Sequence, residues 1–425
     1  MFRNVSSDRI ERAYQEAKDR YAELGVDTDR ALARLADIPV SVNCWQGDDV
    51  TGFEGAEGLS GGGIMATGSY GGKARNAGEL REDYEKAASL IPGTKRFNLH
   101  AVYLEHGGTP VDRDAVGPEH FQGWMDWAKQ RGIGLDFNPT FFSHPKAEEG
   151  WTLASKDESI RKFWIEHGKR SREISEEMGK QLGTSCLDNF WMPDGAKDQP
   201  VDRLGHRELL SQSLDEIFRE KKDPAHTMDF VESKLFGIGS ESYVVGSHEF
   251  YIGYVLTRGV GLTMDAGHYH PTESIADKIP ALLPFVGPMM LHVSRPVRWD
   301  SDHVVTMDDP TVAIAQELAR ADAFDRVHIG VDFFDASINR IAAWVIGVRS
   351  TFKSMLYALL EPTAYLRGEE EAGRLTNRLA VLEEAKNLPF GAVWDRFCAE
   401  HDVPVGPAWL PEIERYEKDV LSKRG

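Results

Sequence analysis

The sequence predicts an α/β fold, a (β/α)8 TIM-type barrel with an N-terminal helix and a C-terminal helical extension, and three observations predict it. First, eight short apolar, β-branched runs punctuate the chain: Val40–Trp45, Phe97–Leu104, Ile133–Phe142, Ser185–Met192, Met228–Phe236, Gly259–His268, Met289–Arg295 and Val327–Phe334. Second, charged stretches with helical spacing separate them, as the strand-then-helix units of a parallel sheet require. Third, polar residues gather at the carboxyl ends of the runs, where a parallel barrel builds its site. An open doubly wound sheet is the alternative. It demands a glycine-rich nucleotide fingerprint after an early strand, and no strand end carries one.

Apolar residues recur at helical spacing among many charges from about Ser6 to Leu35, which predicts an amphipathic surface helix ended by Pro39. The chain therefore divides into an N-terminal helical segment (1–37), a barrel (38–341) and a C-terminal helical extension (342–425). Helices are expected between strands at Glu79–Ile91, Pro118–Arg131, Asp157–Leu182, Arg207–Arg219, Glu273–Leu283 and Pro310–Ala323, several opening with Asp or Pro. Beyond about Ala342 the pattern is helical only, punctuated by Pro362, Pro389, Pro404, Pro407 and Pro411, and is suited to assembly. Between Gly52 and Gly72 nine glycines fall in twenty-one residues, so the loop after the first strand is either a lid or an irregular connector. It is no phosphate loop: Lys73 lacks the required earlier glycine and precedes Ala74 rather than Ser or Thr.

Apolar residues make up 41% and charged residues 28% of the 425, the profile of a soluble globular protein. The formal net charge of −19 repels phosphate backbones and anionic lipid, which excludes nucleic acid and membrane partners. No stretch reaches the roughly 18 apolar residues of a membrane span, and Met1 to Arg20 lacks a signal-peptide core, so a cytoplasmic location is expected. Cys44, Cys186 and Cys398, odd in number and far apart, offer neither a disulfide framework nor a thiolate zinc site, and are expected to be reduced and structural.

The strand ends carry the chemistry. Run five ends in Glu232, Ser233 and Lys234, run six in Asp265 and His268, run seven in His292 with Asp300 and Asp302 beyond, and run eight in Asp332 with Asp335 following. A barrel brings these ends together on one face. Carboxylates crowded there raise one another's pKa unless cations compensate, so divalent metal is expected, with two ions the better count. Oxygen-rich sets with imidazole suit Mg²⁺, Mn²⁺ or Co²⁺ better than structural zinc. Each Asp or His alone is more often a helix cap, a loop hydrogen bond or a satisfied core group than a ligand. The joint pattern on four consecutive strands is what favours ligands. Asp335 falls at odd spacing from Asp332 and is left out, and His303 has a weaker claim than Asp300 or Asp302. Lys234, two residues after Glu232, shares its side of the strand and is placed to polarise a carbonyl, or else to pair with a carboxylate.

The runs WQGDDV (45–50), NLHA (98–101), DFNP (136–139), ESKLFG (232–237), DAGH (265–268), HVSRPVRWDSDHV (292–304) and VDFFDASINRIAAWVIG (331–347) resemble the L-rhamnose isomerase family along essentially the whole chain. The resemblance implies a barrel homotetramer acting on an aldose/ketose pair, L-rhamnose and L-rhamnulose. It implies two divalent ions per subunit, Mn²⁺ first with Co²⁺, Zn²⁺ or Mg²⁺ as alternatives. Glu232, Asp265, His292 and Asp332 match the ligands of a substrate-binding metal, and His268, Asp300 and Asp302 those of a catalytic metal. In the family's reaction hydrogen shifts between C1 and C2 as hydride, while a metal-bound water moves the O–H proton.

The residues expected in the chemistry are His268, Asp300, Asp302, Lys234 and Asp332. Those expected on the sugar are His100, Trp191 and Glu232, with His100 assisting ring opening, as in sugar isomerases generally, and Trp191, ahead of Phe137, forming an apolar wall. Two other functions compete: a metal-dependent barrel hydrolase or endonuclease, opposed by the net charge, and a noncatalytic carbohydrate-binding barrel, opposed by the dense set of carboxylates.

Overall fold

Strands of a closed barrel are covered on both faces, and Val40–Asn43 is buried at all four positions, as are Gly134–Asn138, Gly261–Asp265 and Met289–Val293 along their length. The computed structural model describes residues 5–54, 67–235, 242–297 and 300–424. The central part of the Gly52–Gly72 loop, Phe236 at the end of run five, and Arg298 with Trp299 lie outside the described residues.

Eight parallel strands close the barrel: β1 (Val40–Asn43), β2 (Lys95–His100), β3 (Gly134–Asn138), β4 (Cys186–Trp191), β5 (Thr227–Glu232), β6 (Gly261–Asp265), β7 (Met289–Val293) and β8 (Val327–Val331). Each pairs with the next, and β8 returns to β1 through Val40↔Ile329 and Ser41↔Gly330. Six of the eight expected runs contain their strand, and the other two overlap theirs, which begin earlier at Lys95 and Thr227. The strands stop short of the runs, β6 at Asp265 and β8 at Val331, because the polar residues beyond leave the ladder to shape loops. Two small pairings went unforeseen: Thr67–Gly68 beside Asp335–Ala336, and Gly195–Ala196 beside Tyr243–Val244. At two residues per strand neither carries a period. Gly68, at φ 119°, runs so close to Ala336 that a Cβ would lie 2.3 Å from its backbone.

The single helix expected near the N-terminus is two, α1 (Ser7–Ala22) and α2 (Thr28–Ala36). Gly25 at φ 75° ends the first, and the Asp27 side chain caps the second through the Arg30 amide. The six helices expected between strands are α3 (Ala77–Ala88), α4 (Gln122–Arg131, entered by a 3-10 turn from Pro118), α5 (Glu158–Leu182), α6 (Arg203–Ile217), α8 (Ile275–Leu282) and α9 (Asp309–Arg320). Not foreseen was α7 (His248–Arg258). Its aromatic and β-branched residues have weak helix propensity, and burial of Tyr251, Tyr254 and Val255 at helical spacing supports the helix. The long helix α10 (Arg340–Leu359) follows, then α11 (Thr363–Glu371), α12 (Leu375–Ala385), α13 (Phe390–Glu400) and α14 (Leu410–Asp419). No helix among the described residues is long and apolar enough to cross a membrane. The three cysteines are free and buried.

The main core lies between strands and helices. Inside the barrel the apolar material is only a small plug of Leu187, Phe230 and Met290, with Met228 against it. Above the plug runs a polar layer: Asn138 donates to Asn98 Oδ1 (2.6 Å), Asn189 to Asn138 Oδ1 (3.2 Å), and the Thr263 hydroxyl to Asn189 Oδ1 (2.7 Å). The Arg96–Asp136 ion pair (2.8 Å) lies one inward position before Asn98 and Asn138 on the same two strands. Phe230 packs so tightly that a Cβ on Gly261 would meet its ring at 2.4 Å. Phe230→Ala is therefore expected to destabilise the protein by about 3–5 kcal/mol, measured as a lower urea midpoint. An unmoved midpoint would show that the plug is not what supports the polar layer.

Candidate active site

Neighbouring parallel strands end side by side, so the ladder itself collects the polar residues: His292 stands opposite Asp265, and Glu232 opposite Thr263. Glu232, Asp265, His292 and Asp332 each offer one atom, all within 4.8 Å of one another. Asp265, His268 and Asp300 form a second set equally compact. The two sets share Asp265. Asp302 is placed differently from the expected grouping: it lies against Asp300 and lines the pocket, but Asp265 takes its place in the compact set. Its backbone sits at φ 42°, a strained conformation for a residue other than glycine.

Neighbours hold these groups in fixed orientations. Trp45 Nε1 donates to Asp332 Oδ1 (2.9 Å), leaving Oδ2 toward His292. Asn189 donates to Glu232 Oε2. The Gly267 amide and the Ser294 hydroxyl donate to Asp265 Oδ1. His268 Nδ1 faces the Ser233 carbonyl at 3.0 Å, which turns Nε2 toward Asp300, 3.4 Å away.

The electrostatics follow from burial and crowding. Burial, then the charges of Asp332, Glu232, Asp300 and Asp302, pushes the Asp265 carboxyl well above its usual range. Burial, then Asp300 and Asp332, does the same to Asp302. For Asp300 burial opposes ionisation, but His268 and Lys234 outweigh it and hold the carboxyl well below its usual range. Glu232, buried too, is brought down to about 2 by His292, His268 and the Asn189 hydrogen bond. His292 is pulled up, because Glu232 and Asp332 overcome the effect of its burial.

Among the described residues, Asp265 Oδ2, Asp300 Oδ1 and both ring nitrogens of His292 are buried without a hydrogen-bond partner; His292 Nδ1 lies 3.2 Å from Glu232 Oε2 but outside donation geometry. A divalent cation satisfies acceptor oxygens and imidazole lone pairs together, and this hard donor set suits Mg²⁺, Mn²⁺ or Co²⁺. The buried acidic and histidine cluster could thus hold divalent metal.

Around the cluster the pocket is lined by Trp45, Val50, His100, Asn138, Phe142 and Trp191, with Lys234 and Phe334. Lys234 Nζ pairs with Asp300 Oδ2 (2.8 Å) and stands 5.0 Å over the Trp191 ring. It remains an ammonium, since Asp300 overcomes the effect of burial. His100 packs edge-on against Trp45 (4.8 Å) and meets Thr140 Oγ1 through Nδ1 (3.2 Å), and burial pushes its pKa down to about 3. Trp191 Nε1 has no acceptor among the described residues.

Phe137 is not in the pocket: on alternating β3 it turns outward onto Phe121, 5.1 Å away. Phe142, five residues on, supplies that wall, 5.7 Å from Trp191. Asp335 accepts from Ser337, and His303 bridges to Arg295 through its backbone, so neither enters the cluster. The positioning donors Trp45 and Asn189 escaped sequence reading. The alternation of Asn189 with Trp191 at a strand end was the signal available for one of them.

The family model for L-rhamnose isomerase (RhaA) matches residues 8–424. This chain belongs to the L-rhamnose isomerase family. The L-rhamnose isomerases of Escherichia coli O9:H4 (strain HS) and K12 are each 60% identical to it over 417 residues, covering 98% of this chain and 99% of theirs. Among solved structures, D-psicose 3-epimerase in the presence of D-fructose matches at 15% identity and TM-score 0.46, over 77% of this chain and 97% of that one.

In this member of the family Gly267 sits where a Cβ would lie 2.4 Å from Asp300 Oδ1 and 3.1 Å from Asp265 Oδ1. Gly267→Ala is expected to weaken Mn²⁺ binding at the Asp265, His268 and Asp300 set by about tenfold or more, an outer-residue effect of ordinary size. Electron paramagnetic resonance titration measures it. Affinities equal to wild type would show that the set is not a cation site.

Proposed function

We propose that the chain interconverts L-rhamnose and L-rhamnulose in L-rhamnose catabolism, as an aldose-ketose isomerase of the cytoplasm. The observation that carries the reading is the pair of carboxylate and imidazole sets sharing Asp265 on the floor of a pocket walled by Trp45, Phe142 and Trp191. Family membership over nearly the whole chain supports the sugar.

The reaction moves hydrogen between C1 and C2 as hydride and a proton between O2 and O1, with negative charge building on both oxygens. Divalent cations, Mn²⁺ foremost, would be held by Glu232, Asp265, His292 and Asp332 and by His268 and Asp300 with Asp302, and when bound they supply Lewis acidity and an acidified water for the O–H proton. Lys234, kept charged by Asp300, donates to O1 and stabilises the charge developing there. His100 is neutral; with Nδ1 accepting from Thr140, its Nε2–H faces the ring oxygen and assists opening of the cyclic sugar. Trp191 turns an N–H without an acceptor among the described residues toward a sugar hydroxyl and offers its ring face to the C–H surface. Phe142 and Trp45 close the apolar side, where the methyl group of the sugar fits. Glu232 contributes both to the cation set and to the substrate contact.

For assembly we propose a homotetramer, with the helical extension (342–425) as one contact surface. No residue of α12 is buried in the single chain, and Tyr365, Leu375 and Leu379 are exposed on α11 and α12.

Two outcomes test the reading. Asp302→Asn is expected to keep the wild-type melting temperature while lowering kcat on L-rhamnose at least about 100-fold, measured by a coupled ketose assay; wild-type turnover would remove Asp302 from the chemistry. Dialysis against a chelator is expected to silence the protein until Mn²⁺ or Co²⁺ is returned, whereas full activity after metal removal would overturn the proposed mechanism.

A further inference from the structure

His268 lies three residues beyond the end of β6, on a turn that contains Gly267, so the ladder does not fix its ring. Two backbone hydrogen bonds, Ala266 N–H to the His292 carbonyl and His268 N–H to the Asp265 carbonyl, hold the turn but leave the side chain to other contacts. The ring nitrogen Nδ1 has two acceptors within reach, the Ser233 carbonyl at 3.0 Å and Glu232 Oε1 at 3.2 Å. Which of them governs decides where Nε2 points.

Ser233, His248 and His268 form a closed cycle of hydrogen bonds. The Ser233 carbonyl accepts from His268 Nδ1–H (3.0 Å). The His268 carbonyl accepts from His248 Nε2–H (2.9 Å). His248 Nδ1 then accepts from the Ser233 hydroxyl (2.7 Å). Carbonyls only accept, so the cycle sets the tautomer of both rings at once: Nε2–H on His248 and Nδ1–H on His268. His248 is itself immobilised, because its ring stacks on Tyr269 at 4.0 Å and 9°, with Lys278 Nζ 5.0 Å over the Tyr269 ring. It comes from the first turn of α7, an element that supplies nothing else to the cluster.

We propose that His248 is a positioning residue: through Ser233 and the His268 carbonyl it ties the end of β5 to the turn after β6 and presents Nε2 of His268 to the Asp265, His268 and Asp300 set. The inference rests on the reading of that set as a divalent-cation site. An outer partner that fixes tautomer and ring direction also governs affinity, by about 10- to 100-fold in metal sites generally.

The test is made on the full-length, metal-stripped protein, with Mn²⁺ affinities measured by titration and the visible absorption of bound Co²⁺ as the spectroscopic signature. His248→Phe keeps the stack on Tyr269 and removes both hydrogen bonds. It is expected to weaken Mn²⁺ at the His268 set by about 10- to 100-fold and to alter the Co²⁺ spectrum of that site. The affinity of the Glu232, Asp265, His292 and Asp332 set should remain that of wild type. His248→Gln, whose amide can still donate to the His268 carbonyl, is expected to recover most of the loss. Wild-type affinities and spectrum in His248→Phe would overturn the proposal. If that variant fails to fold, Ser233→Ala decides: a several-fold loss confined to the His268 set supports the cycle, and unchanged affinity overturns it. Wild-type protein that takes up a single ion would overturn the two-set reading instead, and this inference with it.

Discussion

Glu232, Asp265, Asp300, Asp302 and Asp332 face one another at the carboxyl ends of adjacent strands, with one ammonium group, Lys234, and two imidazoles among them. Like charges at this spacing, out of water, do not coexist without compensation, and much of the surrounding structure answers that constraint. Glu232 and Asp300 are stabilised in their ionised forms by His292, His268 and Lys234, while Asp265 and Asp302 are driven toward protonation. Among the described residues, acceptor atoms of Asp265 and Asp300 and ring nitrogens of His292 that make no hydrogen bond mark where cation charge fits. The glycine at 267 follows from the same crowding, since a methyl group there would displace Asp300.

Such a cluster needs a rigid frame, and the barrel divides that task by layer. Beneath the polar upper interior lie the apolar plug of Leu187, Phe230 and Met290 and the Arg96–Asp136 pair. Above the plug, the amides of Asn98, Asn138 and Asn189 and the Thr263 hydroxyl form a chain of hydrogen bonds that ends on Glu232. Trp45 from β1's carboxyl end steadies Asp332, and the cycle through Ser233 and His248 steadies His268. Three different elements thus orient three candidate ligands, so the geometry does not depend on any one loop. The pocket wall is held similarly: Arg113, itself buried, donates to the Phe142 carbonyl (3.0 Å) and the Thr140 carbonyl.

The strands and the cluster were legible in the sequence because both are written in short-range pattern. Apolar runs followed by polar ends mark where a parallel strand stops, and a closed barrel brings such ends together whatever their separation. What escaped depends on contacts distant in sequence. The helix His248–Arg258 has a strand-like composition and is decided by burial of its tyrosines. Phe137 was displaced from the pocket by strand alternation, and Phe142 reaches it only through the loop that Arg113 holds. Trp45 and Asn189 look like core residues until the partners they donate to are known. The division of the ligands leaned on resemblance, and the geometry shifted it by making Asp265 common to both sets. The acids of WQGDDV that follow Trp45 serve the loop itself: Asp48 accepts from Tyr103 and the Gly52 amide, and Asp49 pairs with Arg340.

The central claim is that the carboxylate and imidazole cluster at the strand ends is a two-cation site opening on a sugar pocket. Anomalous diffraction from crystals grown with Mn²⁺ and L-rhamnose tests it most directly. The account predicts two anomalous peaks, one among Glu232, Asp265, His292 and Asp332 and one beside His268 and Asp300, with sugar density between them and Trp191. A single peak elsewhere, or none at the cluster, would contradict it.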